Sequence, residues 1–101
     1  MATILILNDD LGFALWLGQA LSASNCEALP ATNVSEAEAL IGHFKLDIDL
    51  VIVNPMVPGA VDFTRALRRE QGHLHIATLD AETAGARGRS SIGWTFLEPE
   101  N

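Results

Sequence analysis

Short apolar runs alternate with longer amphipathic segments along most of the chain. Five runs have the length and the β-branched or aromatic content of strands: ATILILN, CEALPAT, IDLVIVN, LHIATL and WTFL. The continuous apolar character of the first and third runs is typical of strands covered on both faces, as in a parallel sheet. Pro30 lies within the second run and has no amide hydrogen, so that run is predicted to be an edge strand.

Three amphipathic segments separate the first four runs and predict helices. Ser35 and Glu38 have the spacing of a capping box at the start of the second helix, and Gly72 is a predicted stop for the third. The side chains expected to face the core recur three and four residues apart: Phe13, Trp16, Leu17, Ala20 and Leu21; Ala37, Leu40, Ile41 and Phe44; and Phe63, Ala66 and Leu67.

This alternation of strands and helices predicts one α/β domain over residues 1–101, built on a doubly wound, five-stranded parallel sheet. Residues 80–93, before the last strand, are rich in glycine and serine and predict mostly loop, with a fourth helix shortened to a turn or two. Functional groups of such sheets gather beyond the carboxyl ends of the strands. The polar residues expected there are Asp9, Asp10, Asn54, Asp80 and Glu98.

The charge of the chain excludes several classes of partner. Its 101 residues carry a formal net charge of −7, so nucleic acid and anionic membrane surfaces are not expected to bind it. No apolar run approaches the ~20 residues of a membrane span, and the N-terminus lacks the basic region of a signal peptide. The single cysteine, Cys26, fits a reducing compartment, and a cytoplasmic location is therefore predicted.

Two interpretations of the acidic pair Asp9–Asp10 follow from the residues. The carboxylates would bind Mg²⁺ or Ca²⁺ weakly, with Asp80 and Glu98 as further oxygen ligands. Alternatively, the pair is a solvated acidic turn that caps the first helix. Asn54 is a neutral amide that would hydrogen-bond Asp9 or Asp10 without charge repulsion, because an amide donates as well as accepts.

The acidic pair, together with LVIVNPMVPG about forty residues later, resembles the receiver domain of bacterial two-component response regulators. The resemblance extends from about Ile4 to Pro99. It implies a flavodoxin-like domain with strand order 2-1-3-4-5. It further implies that an aspartate ending strand three accepts a phosphoryl group from a histidine kinase and that the acidic pair helps to bind Mg²⁺. A Ser or Thr ending strand four and a Lys ending strand five then contact the phosphoryl group.

The chain departs from that pattern at the reacting groups. Asn54 stands in the phosphoacceptor position, and an amide nitrogen is not a nucleophile towards a phosphoryl group. Either Asp80 or Thr78 occupies the Ser/Thr position, depending on register, and Glu98 falls in the lysine position. The one lysine of the chain, Lys45, lies elsewhere. The resemblance therefore indicates a degenerate, non-enzymatic pseudo-receiver, a signalling or regulatory module that acts through protein contacts without phosphorylation.

The final helix of the family has no counterpart in the sequence. Without it, an apolar face formed by the first helix and strands three to five would be open to water, which monomers seldom tolerate. We therefore expect a protein partner on that face, in a homodimer or higher oligomer or with another protein. Trp16, Trp94 and Phe96 are the candidate contact residues.

Two further functions are compatible with the predicted fold. One is a receiver-like domain whose input is a divalent cation bound at the Asp9–Asp10 pole. The other is a small-ligand binder or an enzyme on a flavodoxin-like scaffold. Against the second stands the sequence itself, which contains no glycine-rich phosphate loop and no recognisable pairing of a nucleophile with a base.

Overall fold

The computed structural model of the protein describes residues 2–45 and 47–79, together with the backbone of residues 94–97. These residues form one sheet with strand order β2-β1-β3-β4-β5, as predicted. Three described helices flank the sheet, and none of them is long and apolar enough to cross a membrane. The elements are β1 Ala2–Leu7, α1 Leu11–Ser22, β2 Cys26–Ala31, α2 Val34–Phe44, β3 Leu50–Val53, α3 Ala60–Glu70, β4 His75–Leu79 and β5 Trp94–Leu97.

The first four strands are parallel, whereas β5 runs antiparallel to β4, with Trp94 opposite Leu79 and Leu97 opposite Ile76. The doubly wound α/β fold is thus confirmed, but the prediction that all five strands are parallel is wrong for the last one. A parallel neighbour requires a crossover connection, usually a helix, and an antiparallel neighbour does not. The glycine- and serine-rich sequence of residues 80–93, without helical periodicity, agrees with the antiparallel arrangement.

Two apolar clusters cover the two faces of the sheet. One lies under α2 and α3 and includes Leu5, Leu7, Val51, Val53, Phe63 and Leu67. The other lies under α1 and consists of Ile4, Ile6, Phe13, Ala14, Leu17, Ile52, Ala77 and Leu79. Strand residues alternate between these clusters with the two-residue period of a pleated sheet, so the continuous apolar runs of β1 and β3 reflect burial on both faces.

For β3 and β4, the second cluster corrects the prediction of an open sheet face beside α1. Ile52, Ala77 and Leu79 of β3 and β4 are each only 2% exposed, because they pack in one cluster with Phe13 and Leu17. The side chains of Trp94 and Phe96 lie outside the described residues. Among the described residues, α1 carries three large apolar side chains that are exposed: Leu11, Leu15 and Trp16.

The buried face of α1 is rotated from the predicted stripe. Phe13, Leu17 and the half-buried Leu21 face the sheet as expected, but Ala14 and Gly18 are buried where Trp16 and Ala20 were predicted. The close approach of the helix to the sheet explains this. A Cβ added at Gly18 would lie 3.8 Å from both the Ala28 Cβ and the Ile6 δ-carbon. Small residues are therefore suited to the side of α1 nearest the sheet, and Trp16 remains 37% exposed.

The cap of α2 also differs from the prediction, which placed it at Ser35 and Glu38. Asn33 is the N-cap, and its side-chain oxygen accepts a hydrogen bond from the Glu36 amide at 2.8 Å. Glu36 in turn accepts hydrogen bonds from the Thr32 amide and hydroxyl, both at 2.7 Å. The helix is thus capped two residues earlier than predicted, because Asn33 is an equally strong capping residue, and Glu36 bonds back to Thr32 and not to the N-cap residue itself.

Two predicted inward-facing residues on the other helices are exposed. Phe44, at the last turn of α2, is 60% exposed and makes an edge-on ring contact with His43. On α3, Ala66 is exposed and Thr64 is buried instead. The Thr64 hydroxyl donates to the Val61 carbonyl at 2.9 Å, so its polar group is satisfied within the helix. Helical spacing alone did not predict which of these neighbouring positions are buried and which are exposed.

Candidate functional site

Asn8 and Asn54 lie side by side at the carboxyl ends of β1 and β3. The Asn54 amide donates to the Leu7 carbonyl at 2.9 Å, and the Asn8 amide donates to the Ala31 carbonyl at 3.0 Å. These bonds extend the parallel ladders by one residue beyond the strands. Asn8 is 5% exposed and is one of only two buried polar or charged residues in the described part of the chain. The sheet thus presents two amide side chains at its central edge.

The Asn54 side chain uses both ends of its amide. Its nitrogen, Nδ2, donates to Asn8 Oδ1 at 3.4 Å, and its oxygen, Oδ1, accepts from the Met56 backbone amide at 2.9 Å. The second bond closes an Asx turn, in which the side chain imitates a backbone turn. The Val57 amide donates to the Asn54 carbonyl at 3.1 Å and holds the following residues in the same turn. Asn54 therefore shapes the start of the loop that leads to α3.

Asn8 is the residue that sequence reasoning missed. Its Oδ1 accepts hydrogen bonds from Asn54 Nδ2 and from the Asp10 backbone amide, the latter at 3.1 Å. The predicted bond from Asn54 to Asp9 or Asp10 is therefore replaced by one to Asn8. Its position in the sequence could have indicated it, because Asn8 is the first polar residue after the four buried apolar residues of β1. The acidic pair that follows it is more conspicuous.

The two acidic residues have different surroundings. Asp10 caps α1, since its Oδ1 accepts from the Phe13 amide at 3.1 Å. Asp9 is exposed and has no side-chain hydrogen bond to any described residue. Within residues 2–45 and 47–79, no three carboxylate, imidazole or thiol side chains come together in a group that could hold a metal ion. Asp80 and Glu98 lie outside the described residues, so cation binding by the acidic pole stays a prediction.

Thr78 occupies β4 opposite Val53, the residue immediately before Asn54. Its hydroxyl oxygen is buried and has no hydrogen-bond partner among the described residues. Asp80, the rival for the same position, is not described. The assignment of the Ser/Thr position to Asp80 or Thr78 therefore stays a prediction.

The chemistry available around Asn54 is that of neutral donors and acceptors. Each of its hydrogen bonds joins an amide to an amide oxygen, from either the backbone or Asn8. An amide of this kind is a poor nucleophile, and its oxygen is already occupied by the Met56 N–H. The arrangement is suited to holding the loop between β3 and α3 in one conformation and not to forming a covalent intermediate.

Comparisons with known proteins find similarity in structure. The sequence matches no family model and no curated protein. A response regulator receiver domain protein from Clostridium thermocellum has 22% identity and a TM-score of 0.65 over 75% of this chain and 62% of that one. A response regulator from Thermotoga maritima has 24% identity and a TM-score of 0.65, over 80% of this chain and 67% of that one.

The non-phosphorylated HemR receiver domain from Leptospira biflexa has 26% identity and a TM-score of 0.60, over 73% of this chain and 60% of that one. The chain thus spans about three fifths of the length of the solved receiver structures that it matches. The resemblance inferred from the sequence is therefore confirmed at the level of the fold, which is that of response regulator receiver domains.

Proposed function

We propose that this protein is a receiver-like signalling or regulatory module that works through protein contacts and accepts no phosphoryl group. The observation that carries the proposal is Asn54. Its amide stands at the end of β3, is bonded to Asn8 and to the Met56 backbone, and offers no anionic oxygen for attack on phosphorus. The protein would then be non-catalytic, and a cytoplasmic location agrees with its single cysteine.

The hydrogen bond from Asn54 to Asn8 also supports the proposal, because it stabilises an amide side chain at position 54. Asn8 Oδ1 already accepts a hydrogen bond from the Asp10 amide, so it presents an acceptor towards residue 54. An ionised aspartate at position 54 would have only acceptors to offer in return. The acceptor on Asn8 therefore stabilises an amide at position 54 and would destabilise the carboxylate that phosphorylation requires.

The partner in this proposal is a protein, and self-association is the form of contact that we favour. The exposed apolar side chains on the α1 side of the sheet supply a surface for it. Such a module would present one fixed surface in every cell state, and its abundance or its partner's abundance would set the output. This differs from a switch whose two conformations depend on phosphorylation.

The experiment incubates the protein with acetyl phosphate and Mg²⁺ and measures its intact mass under conditions that preserve acyl phosphates. We expect no gain of a phosphoryl group. A receiver domain with an intact phosphoacceptor aspartate, treated in parallel, serves as the positive control. A stoichiometric phosphoryl adduct on the wild-type chain would overturn the proposal, and peptide mapping would show which side chain carries it.

Restoring the carboxylate tests whether Asn54 is the only obstacle. In the variant Asn54→Asp, we expect acetyl phosphate to leave the backbone-amide spectrum and the oligomeric state unchanged, because the chain's one lysine, Lys45, lies between α2 and β3. A phosphorylation-dependent spectral change in Asn54→Asp would show that the rest of the switching machinery is intact, contrary to a degenerate receiver.

A further inference from the structure

Helices α2 and α3 pack on the same face of the sheet and leave a groove between them. The groove has a volume of about 260 Å³. Its lining comes from both helices and consists of five apolar residues and two glutamates, namely Glu38, Ile41, Gly42, Phe63, Ala66, Leu67 and Glu70. We call this feature the α2–α3 groove. It lies on the face of the sheet opposite α1.

The bottom of the α2–α3 groove is apolar and firmly packed. Phe63 and Leu67 are 9% and 5% exposed and belong to the apolar cluster under the two helices, and the half-buried Ile41 packs against the same cluster. Gly42 and Ala66 are exposed along the groove. Because these two residues have little or no side chain, the apolar surface beside them stays within reach of a ligand.

Gly42 leaves the groove open at a position where the fold does not require glycine. It lies in the last turn of α2 and does not have the positive φ that makes glycine necessary at Gly59. A Cβ added at Gly42 would meet no atom within 4 Å, so no neighbouring group needs the space. Glycine weakens a helix, because it loses more conformational freedom on folding than any other residue. Access to the groove, and not packing, therefore accounts for the missing side chain.

The polar side chains that line the groove are both anionic. Glu38 lies on α2 and Glu70 on α3, so each helix contributes one carboxylate. Neither carboxylate forms an ion pair or a side-chain hydrogen bond within residues 2–45 and 47–79. The arginines of α3 are not among the residues that line the groove; they are Arg65, Arg68 and Arg69. The groove therefore combines an apolar floor with negative charge that has no counter-ion in the described part of the chain.

We propose that the α2–α3 groove binds a lysine or arginine side chain on a basic, amphipathic segment of a partner protein. Such a side chain packs its aliphatic stem along apolar surface and keeps its charged head at a polar edge. The stem would lie over Ile41, Gly42 and Ala66, and the cation would meet the carboxylates of Glu38 and Glu70. This inference rests on the proposed function, in which the module works through protein contacts, and it names the chemistry of one partner.

The size and charge of the groove disfavour other occupants. Sites for small molecules usually have volumes of about 300–1,000 Å³, and the α2–α3 groove is smaller. A second copy of this chain carries the same net charge of −7 and is repelled by the two carboxylates. A neutral apolar segment would take water away from both carboxylates and offer them no partner. A cationic side chain with an aliphatic stem satisfies both parts of the groove.

The experiment titrates the ¹⁵N-labelled protein with a synthetic peptide of about fourteen residues, in which leucine and arginine alternate with helical spacing. Amide signals of residues that line the groove, Gly42 and Ala66 among them, should shift. We expect a dissociation constant on the order of 0.1–1 mM, because the groove is smaller than a standard interface. The same peptide with glutamate in place of arginine should cause no shift. Absent shifts, shifts confined to residues outside the groove, or equal shifts with both peptides would overturn the proposal.

Gly42→Leu fills the groove and is the steric test. Its side chain enters space that is empty in the structure, so the variant should stay folded while the peptide affinity falls at least about tenfold. Gly72→Leu is the matched control, because Gly72 is also exposed, has no positive φ and would place its Cβ at least 4 Å from other groups. It should bind the peptide as the wild type does. Circular dichroism establishes that both variants are folded. Wild-type affinity in folded Gly42→Leu would contradict the proposal.

Glu38→Gln and Glu70→Gln test the charge with little change in shape. Each should weaken peptide binding about threefold, and the double variant about tenfold. Glu27→Gln is the matched control, since Glu27 is exposed on β2, outside the groove, and its loss changes the net charge equally. Equal losses of affinity in all three single variants would indicate general attraction to an acidic protein and overturn the proposal.

Dilution of the wild-type protein without peptide tests the rival occupant. Signals of the groove residues should be independent of protein concentration from about 10 μM to about 1 mM. Shifts of those signals with concentration would assign the groove to a second copy and contradict the inference. None of these titrations involves phosphoryl transfer, which the mass measurement tests independently, so the two proposals fail separately.

Discussion

Asn8 and Asn54 are matched as acceptor and donor at the centre of the sheet's carboxyl edge. The sequence indicated Asn54, because a polar residue between a buried strand and a proline-rich loop is conspicuous. It did not indicate Asn8, since a polar residue ending one strand has no visible relation to a residue 46 positions later. Contacts of this kind depend on the register between strands, which the hydrophobic pattern of one sequence does not specify.

Asn54→Asp should destabilise the protein by about 1–2 kcal/mol at neutral pH. The Met56 amide keeps its acceptor, but Asn8 Oδ1 then faces a carboxylate oxygen in place of a donor. Urea denaturation measures the change in the free energy of unfolding. Asn25→Asp is the matched control, because it makes the same chemical change at an exposed residue with no side-chain hydrogen bond to the described residues. Equal losses in the two variants would argue against the Asn8–Asn54 bond.

Glu36 provides a prediction about pH. Hydrogen bonds from the Thr32 hydroxyl and then the Thr32 amide lower the pKa of Glu36 below its usual value of 4.5. Because the pKa is lowered in the folded state, the stabilising contribution is present above pH 4.5 and is lost as the pH falls through the folded pKa. Carboxyl NMR titration should give a midpoint below 4.5, and Thr32→Val should move it upwards. A midpoint unaffected by Thr32→Val would contradict the assignment.

At the scale of elements, the strands were predictable and the details of the helices were not. The apolar runs of β1 and β3 and the proline of β2 specified buried and edge strands correctly. Helical periodicity alone did not predict which face of α1 is buried. Gly18 is buried because that side of the helix lies close to β2, and this contact is not visible in the pattern of apolar residues. The direction of β5 depends on a connection without clear periodicity, so alternation suggested a parallel strand that the structure does not have.

The start of α2 supplies a test between two caps. Asn33→Ala should cost about 1 kcal/mol of unfolding free energy, because it removes the acceptor for the Glu36 amide. Ser35→Ala should change that free energy by less than about 0.5 kcal/mol, since Ser35 is exposed within the first turn. Thermal and urea unfolding of both variants provide the comparison. A larger cost at Ser35 than at Asn33 would restore the cap position predicted from the sequence.

At the scale of the whole molecule, the protein combines a receiver fold with a neutral amide edge and an uncharged helix on an acidic surface. The fold could be predicted from the sequence, because the alternation of strands and helices and the spacing of motifs extend over most of the chain and do not depend on any single residue. The exposed residues of α1 were less predictable, since the sequence indicated Trp16 whereas Leu11 and Leu15 are the more exposed residues. Exposure of single side chains depends on how the helix sits on the sheet.

The most direct test of the central claim is a pair of ¹H–¹⁵N NMR spectra of the wild-type protein. One is recorded with Mg²⁺ and acetyl phosphate, and the other with Mg²⁺ and acetate. The account predicts superimposable signals for the backbone amides of Asn8, Asn54 and Met56, because no phosphoryl group joins the site and the Asx turn stays closed. Shifts of these signals confined to the acetyl phosphate sample would contradict it.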